Sequence, residues 1–362
     1  MFKARATLLA LAAAVVLAGS ASAADLTSSL TKGTPELKSA GPLAFGPEGI
    51  LFIGDTQAAT IFAVATDDTT APKAMEKFKV EGVNEKIANM LGVDAKQLLI
   101  NSIATNPTPG NVYLSVSRGK GADAKPAIVR CDGKGKLSEF PLKDVKFSQV
   151  KLTNSVGEGN KRQDSITQIA FVKDRVLVAG LSNEEFASKL RSIPFPFKEA
   201  DKGASIEIFH GAHGKIETAS PVRTFVACEI KGETNILAAY QCTPLVRIPV
   251  ASLKPGEKVK GTTVAELGSG NRPLDMIVYQ KGGKEYLLMA NSQHGVLKIP
   301  TEGIEKVDAI EKPVGPNKTA GQKAEKVADL KEVMKLDKYG KDYAVVLAGK
   351  SGPMTLEVID LP

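Results

Sequence analysis

Residues 41–64, GPLAFGPEGILFIGDTQAATIFAV, set short apolar runs between tight turns so closely that they specify three successive short strands. Leu43 to Phe45 is apolar, Gly46-Pro47-Glu48-Gly49 has the composition of a turn, and Ile50 to Gly54 has the β-branched and aromatic content of a second strand. Asp55 to Ala59 then makes a polar loop, and Thr60 to Val64 returns as a third strand. Strands in this order form one blade of a β-propeller.

The pattern recurs along the chain. Five further strand clusters begin at INSIATNP (residues 100–107), SITQIAF (165–171), RTFVACEI (223–230), PLDMIVY (273–279) and VADLKEVMK (327–335). The expected fold is therefore all-β, a β-propeller of about six blades with short helical insertions. A seventh blade follows only if the N-terminal segment or residues 315–326 hide a weak one. In residues 84–91, Ile87, Met90 and Leu91 have helical spacing, Gly92 stops the helix and Asp94 caps a further turn. In residues 182–203, SNEEFASKLRSIPFPFKEADKG, a Ser/Asn cap followed by Glu184 and Glu185 predicts a short helix that stops at Ile193-Pro194, with Phe195 and Phe197 packed in the core.

The run LAFGPEGILFIGD, residues 43–55, resembles the repeat of the NHL and gluconolactonase-like (regucalcin-type) propellers. That resemblance implies the propeller fold. It also implies two function classes, a binding scaffold or a metal-dependent lactonase. The lactonases hold a divalent ion with carboxylate and amide side chains near the channel axis, including a Glu early in the first blade. The equivalent KSAGPLAF, residues 38–45, has no acid there, and Glu48 lies in the turn at the far end of the strand. Asp164, Asn101 and Asn271, joined by Asn291, remain as an oxygen-rich set suited to Ca²⁺ or Mg²⁺.

At the N-terminus, Lys3 and Arg5 form a basic region, Leu8 to Leu17 an apolar one, and Ala21-Ser22-Ala23 fits a cleavage site. Residues 1–23 read as a secretory signal peptide and residues 24–362 as a single propeller domain, periplasmic or extracellular. No later apolar stretch is long enough to span a membrane. The formal charge is +7, and removal of Lys3 and Arg5 with the leader leaves +5. Because that charge is spread as mixed Lys and Glu over the loops, and the protein is expected to be exported, no nucleic-acid partner is implied. Trp is absent and aromatics are 5%, which argues against WD-type blades and against a stacking platform.

Antiparallel strands within a blade place the loop before the inner strand and the loop between the second and third strands on one face, around the channel mouth. Asn101, Asp164, Arg272, Asn291 and His294 are the candidate ligand-binding residues there. Solvated loop ends are the plain alternative for each. For Arg272 and Asp275 the alternative is a tie between blades. His294 has the chemistry of a general base near neutral pH. His210 and His213 in FHGAHG are counted between the third and fourth strands of blade three. That count puts them on the opposite face, as a plain turn.

H-E-x-x-H, Cys-x-x-Cys and G-x-S-x-G are all absent, and Gly133-Lys134-Gly135 sits in a hairpin turn without a following helix. Cys228 and Cys242 fall roughly 16 Å apart by strand rise, too far for a disulfide. Three thiols are expected, with Cys131 buried. The reading these residues support is a non-enzymatic, monomeric propeller that binds a small molecule or protein partner at its mouth. Its alternative is a metal-dependent hydrolase or lyase of lactone or sugar-type substrates, holding a divalent cation such as calcium.

Overall fold

The opening run folds as its turns dictate. Leu43–Phe45, Ile50–Asp55 and Thr60–Ala65 form an antiparallel sheet, and Glu48 and Gly49, at φ 57° and 68°, supply the left-handed backbone that reverses the chain between the first two strands. The computed structural model describes residues 25–362 except 160 and 243; the signal-peptide reading lies outside them. Six sheets form among the described residues, and they are the blades of a six-bladed β-propeller. Numbered by chain order, their inner strands are Leu43–Phe45, Leu98–Thr105, Gln168–Val172, Thr224–Ile230, Pro273–Lys281 and Val333–Tyr339. Among the described residues, neither hiding place for a seventh blade contains one. Thr31–Gly33, Thr319–Gly321 and Glu325–Val327 are edge strands of blades 1, 4 and 5.

Blade order around the ring departs from chain order. Leu43 N donates to Ser102 Oγ of blade 2 (3.2 Å), and Ser165 Oγ of blade 3 donates to Thr56 O of blade 1 (2.8 Å), so blade 1 stands between blades 2 and 3. Blades 3, 4, 5 and 6 follow in turn. The ring closes between blades 6 and 2, where Thr105 N donates to Asp337 Oδ2 at 2.6 Å. Outer strands are exchanged to fit this order. Val145–Lys151, which follows blade 2 in the chain, covers blade 1, and Lys79–Glu81, which follows blade 1, covers the last strand of blade 6. Covering strands satisfy backbone groups that would otherwise form an exposed edge.

The helix at residues 84–91 forms as Val83–Met90, burying Val83 and Ile87, and Asp94 caps the next turn through Lys96 N at 2.7 Å. The helix expected in residues 182–203 does not form. Ser188–Pro194 is instead the third strand of blade 3, paired along its length with Arg175–Leu181. Burial decides the matter. Leu190 packs into the core shared with blade 4, while Lys189, Arg191 and Ile193 alternate to the opposite face, where Ile193 joins the core shared with blade 1; all four are nearly inaccessible, and a half-buried helix could not bury both faces. Phe195 and Phe197 do pack in the core, edge-on to Phe52 at 5.0 and 6.0 Å.

The extra strand reverses the sense of everything after it in blade 3. Ala204–His210 becomes the fourth strand and runs back to the mouth face, so the FHGAHG turn lies on that face rather than opposite it. The three cysteines are free, as expected. The hairpin turn is tighter than the sequence suggested, with Cys228 opposite Asn235. No helix among the described residues is long and apolar enough to cross a membrane.

Candidate functional site

A cavity of about 710 Å³ opens at the mouth face, and all six blades contribute to its wall. Three of the contributions come from β-bulges. The registers of blades 2, 5 and 6 each shift by one residue at the mouth end of the inner strand, between Ile100 and Ser102, Pro273 and Asp275, and Val333 and Lys335. A bulge leaves one residue unpaired and turns it off the ladder. The three residues so released, Asn101, Leu274 and Met334, all line the cavity.

Charge on the wall is one-sided. Lys96, Lys120, Arg223, Arg272 and Lys335 line it, against the single acid Asp164. Asp164 sits on the 3₁₀ turn Arg162–Ser165, which is pinned to blade 1 by Arg162 Nε donating to Gln57 O (2.7 Å) and Ser165 Oγ donating to Thr56 O (2.8 Å). From there its carboxylate accepts from Arg223 Nη1 at 2.9 Å. Partial desolvation at the cavity wall lowers the pKa of Arg272, although the residue as a whole is exposed; the like charge of Arg223 adds to this and Asp164 opposes it. Two guanidinium groups thus share one carboxylate. An anion entering the cavity would complete their neutralisation.

Of the residues chosen from sequence, Asn101, Asp164 and Arg272 line the cavity together. Asn101 Nδ2 donates to Ala40 O (2.7 Å) and Ser117 Oγ (2.9 Å), so it offers a ligand only its carbonyl oxygen. Asn291 and Asn271 lie buried off the wall. Asn291 Oδ1 accepts from Gln293 N and His294 N while its Nδ2 donates to Asn271 Oδ1, and Asn271 Nδ2 donates to Gly268 O. These are turn-forming amides, the commonest use of Asn in a tight loop. His294 packs beside Gly268 and does not line the cavity. Of the oxygen-rich set suited to a hard divalent ion, only Asp164 and Asn101 reach the cavity, and Asp164 already carries an arginine partner. Lys96, Lys120 and Lys335 went unrecognised in the sequence. Nothing in the spacing of an isolated lysine marks it, and the bulge that aims the blade 6 strand is a property of strand pairing.

Asp275 is a tie between blades, whereas Arg272 is an exposed wall residue. Asp275 Oδ2 accepts from Leu336 N of blade 6 at 3.3 Å, and Asp337 Oδ2 accepts from Thr105 N of blade 2 at 2.6 Å. Burial raises both carboxyl pKa values; Asp337 is pushed up to about 7, with Asp275 adding to the rise and backbone hydrogen bonds opposing it. A raised folded-state value means the folded protein holds a proton that the unfolded chain releases near pH 4. Stability from this group is therefore complete below about pH 4 and is lost as pH rises towards 7. Thermal melting in matched buffers from pH 5 to 8 is expected to show the wild type falling relative to Asp337→Asn. Parallel profiles would mean that Asp337 stays ionised in the fold.

No family model matches the chain, and no curated protein matches it. Solved structures to which it is similar include a putative oxidoreductase (glucose dehydrogenase) from Thermus thermophilus, at 14% identity over 91% of this chain and 99% of that one, TM-score 0.34. The PQQ-bound aldose sugar dehydrogenase of Streptomyces coelicolor is also 14% identical, over 91% and 96% of the two chains, TM-score 0.31. Hydrazine synthase of Kuenenia stuttgartiensis is 13% identical over 86% of this chain and 74% of that one, TM-score 0.36. The functional reading therefore rests on this chain's own residues, arranged on a six-bladed propeller.

Proposed function

We propose that the propeller mouth binds a small organic anion, a carboxylate or phosphate ester with an apolar portion. The observation that carries this reading is the convergence of five cationic side chains and one acid on a single cavity. Arg272 and Arg223 supply planar donors for an oxyanion, and Asp164 orients Arg223. Leu99, 60% exposed at the rim, with Leu274 and Met334 forms the wall on which the apolar portion rests. Binding by itself is the proposed activity. The leader-like residues 1–23 support export, so the ligand would be met in a periplasmic or extracellular space. A divalent-cation lactonase reading finds less support, because Asp164 is engaged by Arg223 and Asn271 by its turn.

Calorimetric titration with a panel of small carboxylates and phosphate esters, each beside its neutral analogue, tests the proposal. Charged members are expected to bind, with affinity that weakens as salt rises. Arg272→Ala is expected to reduce that affinity about tenfold or more, as loss of a charge-assisted contact does. Neutral analogues binding as well as the anions, or an unchanged affinity in Arg272→Ala, would remove the basis of the reading.

A further inference from the structure

The redirected turn in blade 3 brings three potential metal ligands together, outside the cavity. His210 ends the strand Ala204–His210, and His213 lies on the turn that follows, its ring 3.8 Å from that of His210. Cys242 comes from the turn between the second and third strands of blade 4, fixed by its N–H donating to Asn271 O at 2.8 Å. One ring nitrogen of each histidine and the Cys242 sulfur lie within 4.8 Å of one another. We propose that His210, His213 and Cys242 bind one borderline-soft divalent transition metal ion of the zinc class, at the boundary of blades 3 and 4.

Glu217 makes the two imidazoles suitable for this. Its Oε2 is 2.9 Å from His210 Nδ1 and its Oε1 2.6 Å from His213 Nδ1, and Ser220 holds the same carboxylate. An ionised carboxylate only accepts, so each Nδ1 carries the proton, and in the neutral imidazole Nε2 is the nitrogen left with a lone pair. A carboxylate behind a histidine in this way is the usual outer support of a metal-bound imidazole. His210 is only 2% exposed, and its Nε2 has no hydrogen-bond partner among the described residues, a costly arrangement if nothing binds there. A staple made only to hold the turn would need the Nδ1 contacts alone. It would not require a buried ring nitrogen left without a partner beside a thiol from the next blade.

The donor set also selects the metal. Two imidazoles and a thiolate suit zinc and its neighbours, not calcium or magnesium. Zinc bond lengths place such ligand atoms about 3.3–3.6 Å apart, so small side-chain rotations complete the site. Three protein ligands leave a fourth position. His213, 44% exposed, marks the side from which water reaches it.

The test uses Co²⁺ as a spectroscopic substitute for Zn²⁺ in chelator-treated full-length protein. One equivalent of Co²⁺ is expected to give a thiolate-to-cobalt charge-transfer band and tetrahedral visible bands, both abolished by one equivalent of Zn²⁺. Cys242→Ser should lose the charge-transfer band. His213→Ala, a change at an exposed residue, should lose the tetrahedral bands with the circular dichroism spectrum unaltered. Glu217→Gln should weaken Zn²⁺ binding 10- to 100-fold at unchanged stoichiometry. Absence of the band in the wild type, or its survival in Cys242→Ser, would overturn the proposal. Arg272→Ala is expected to keep the cobalt spectrum, so this result is independent of the fate of the anion reading.

Discussion

Leu287→Ala is expected to cost about 2–5 kcal/mol of stability, the range for emptying a leucine site in a packed core. Leu287 is 0% exposed on the second strand of blade 5, between Val278 and Ile299 of the flanking strands, and belongs to the cluster that joins blades 4 and 5. The cavity left behind would be lined by strands paired on both sides, which cannot collapse into it. Urea denaturation measures the loss directly. Arg272→Ala on the same blade is expected to stay within about 0.5 kcal/mol, because that side chain is exposed and stands near the like charge of Arg223. If Arg272→Ala destabilised as much as Leu287→Ala, Arg272 would be a structural clamp and its effect on ligand binding would only report unfolding.

Gly180→Ala is expected to cost about 3 kcal/mol and to abolish anion binding together with it. A β-carbon at Gly180 would lie 2.1 Å from Ser165 O and 3.0 Å from Asp164 O, both backbone atoms of the turn that carries Asp164. A flexible side chain could swing away from such a contact. Here the whole 3₁₀ turn must lift, breaking the Ser165 and Arg162 bonds to blade 1 and withdrawing Asp164 from Arg223. Gly157→Ala provides the comparison, since a β-carbon there meets nothing within 4 Å. Melting and ligand titration of both variants would settle the point; wild-type behaviour in Gly180→Ala would mean that the turn is not seated as described.

The propeller was legible because it rests on local chemistry. The glycine-proline turn of residues 46–49 and the alternation of short apolar strands with polar loops demand hairpins wherever they occur. Asp164, Arg272 and Asn101 were reachable through topology alone, since loops at one end of antiparallel strands must share a face. Residues 182–203 were misjudged because a capping pattern is a local preference. The burial of Lys189, Arg191 and Ile193 on one side and Leu190 on the other is set by blades distant in sequence. That single strand also carried the error to His210 and His213, whose face depends on counting strands correctly. Asn291 misled for a different reason. The same amide that can hold a ligand also closes a turn, and only the hydrogen-bond partners distinguish the two uses.

The exchanged outer strands bear on how the chain folds. Thr355–Glu357 at the end of the chain pairs with Lys79–Glu81, and Val358 N donates to Phe78 O at 2.9 Å. Contacts of such sequence separation form late, since the entropy of closing the intervening loop must be overcome first. Blade 1 meets the same delay on a smaller scale, because its fourth strand, Val145–Lys151, is not synthesised until blade 2 has been made. During synthesis the N-terminal third therefore leaves the ribosome with open strand edges, and the ring acquires its full cooperativity only when the last strand arrives.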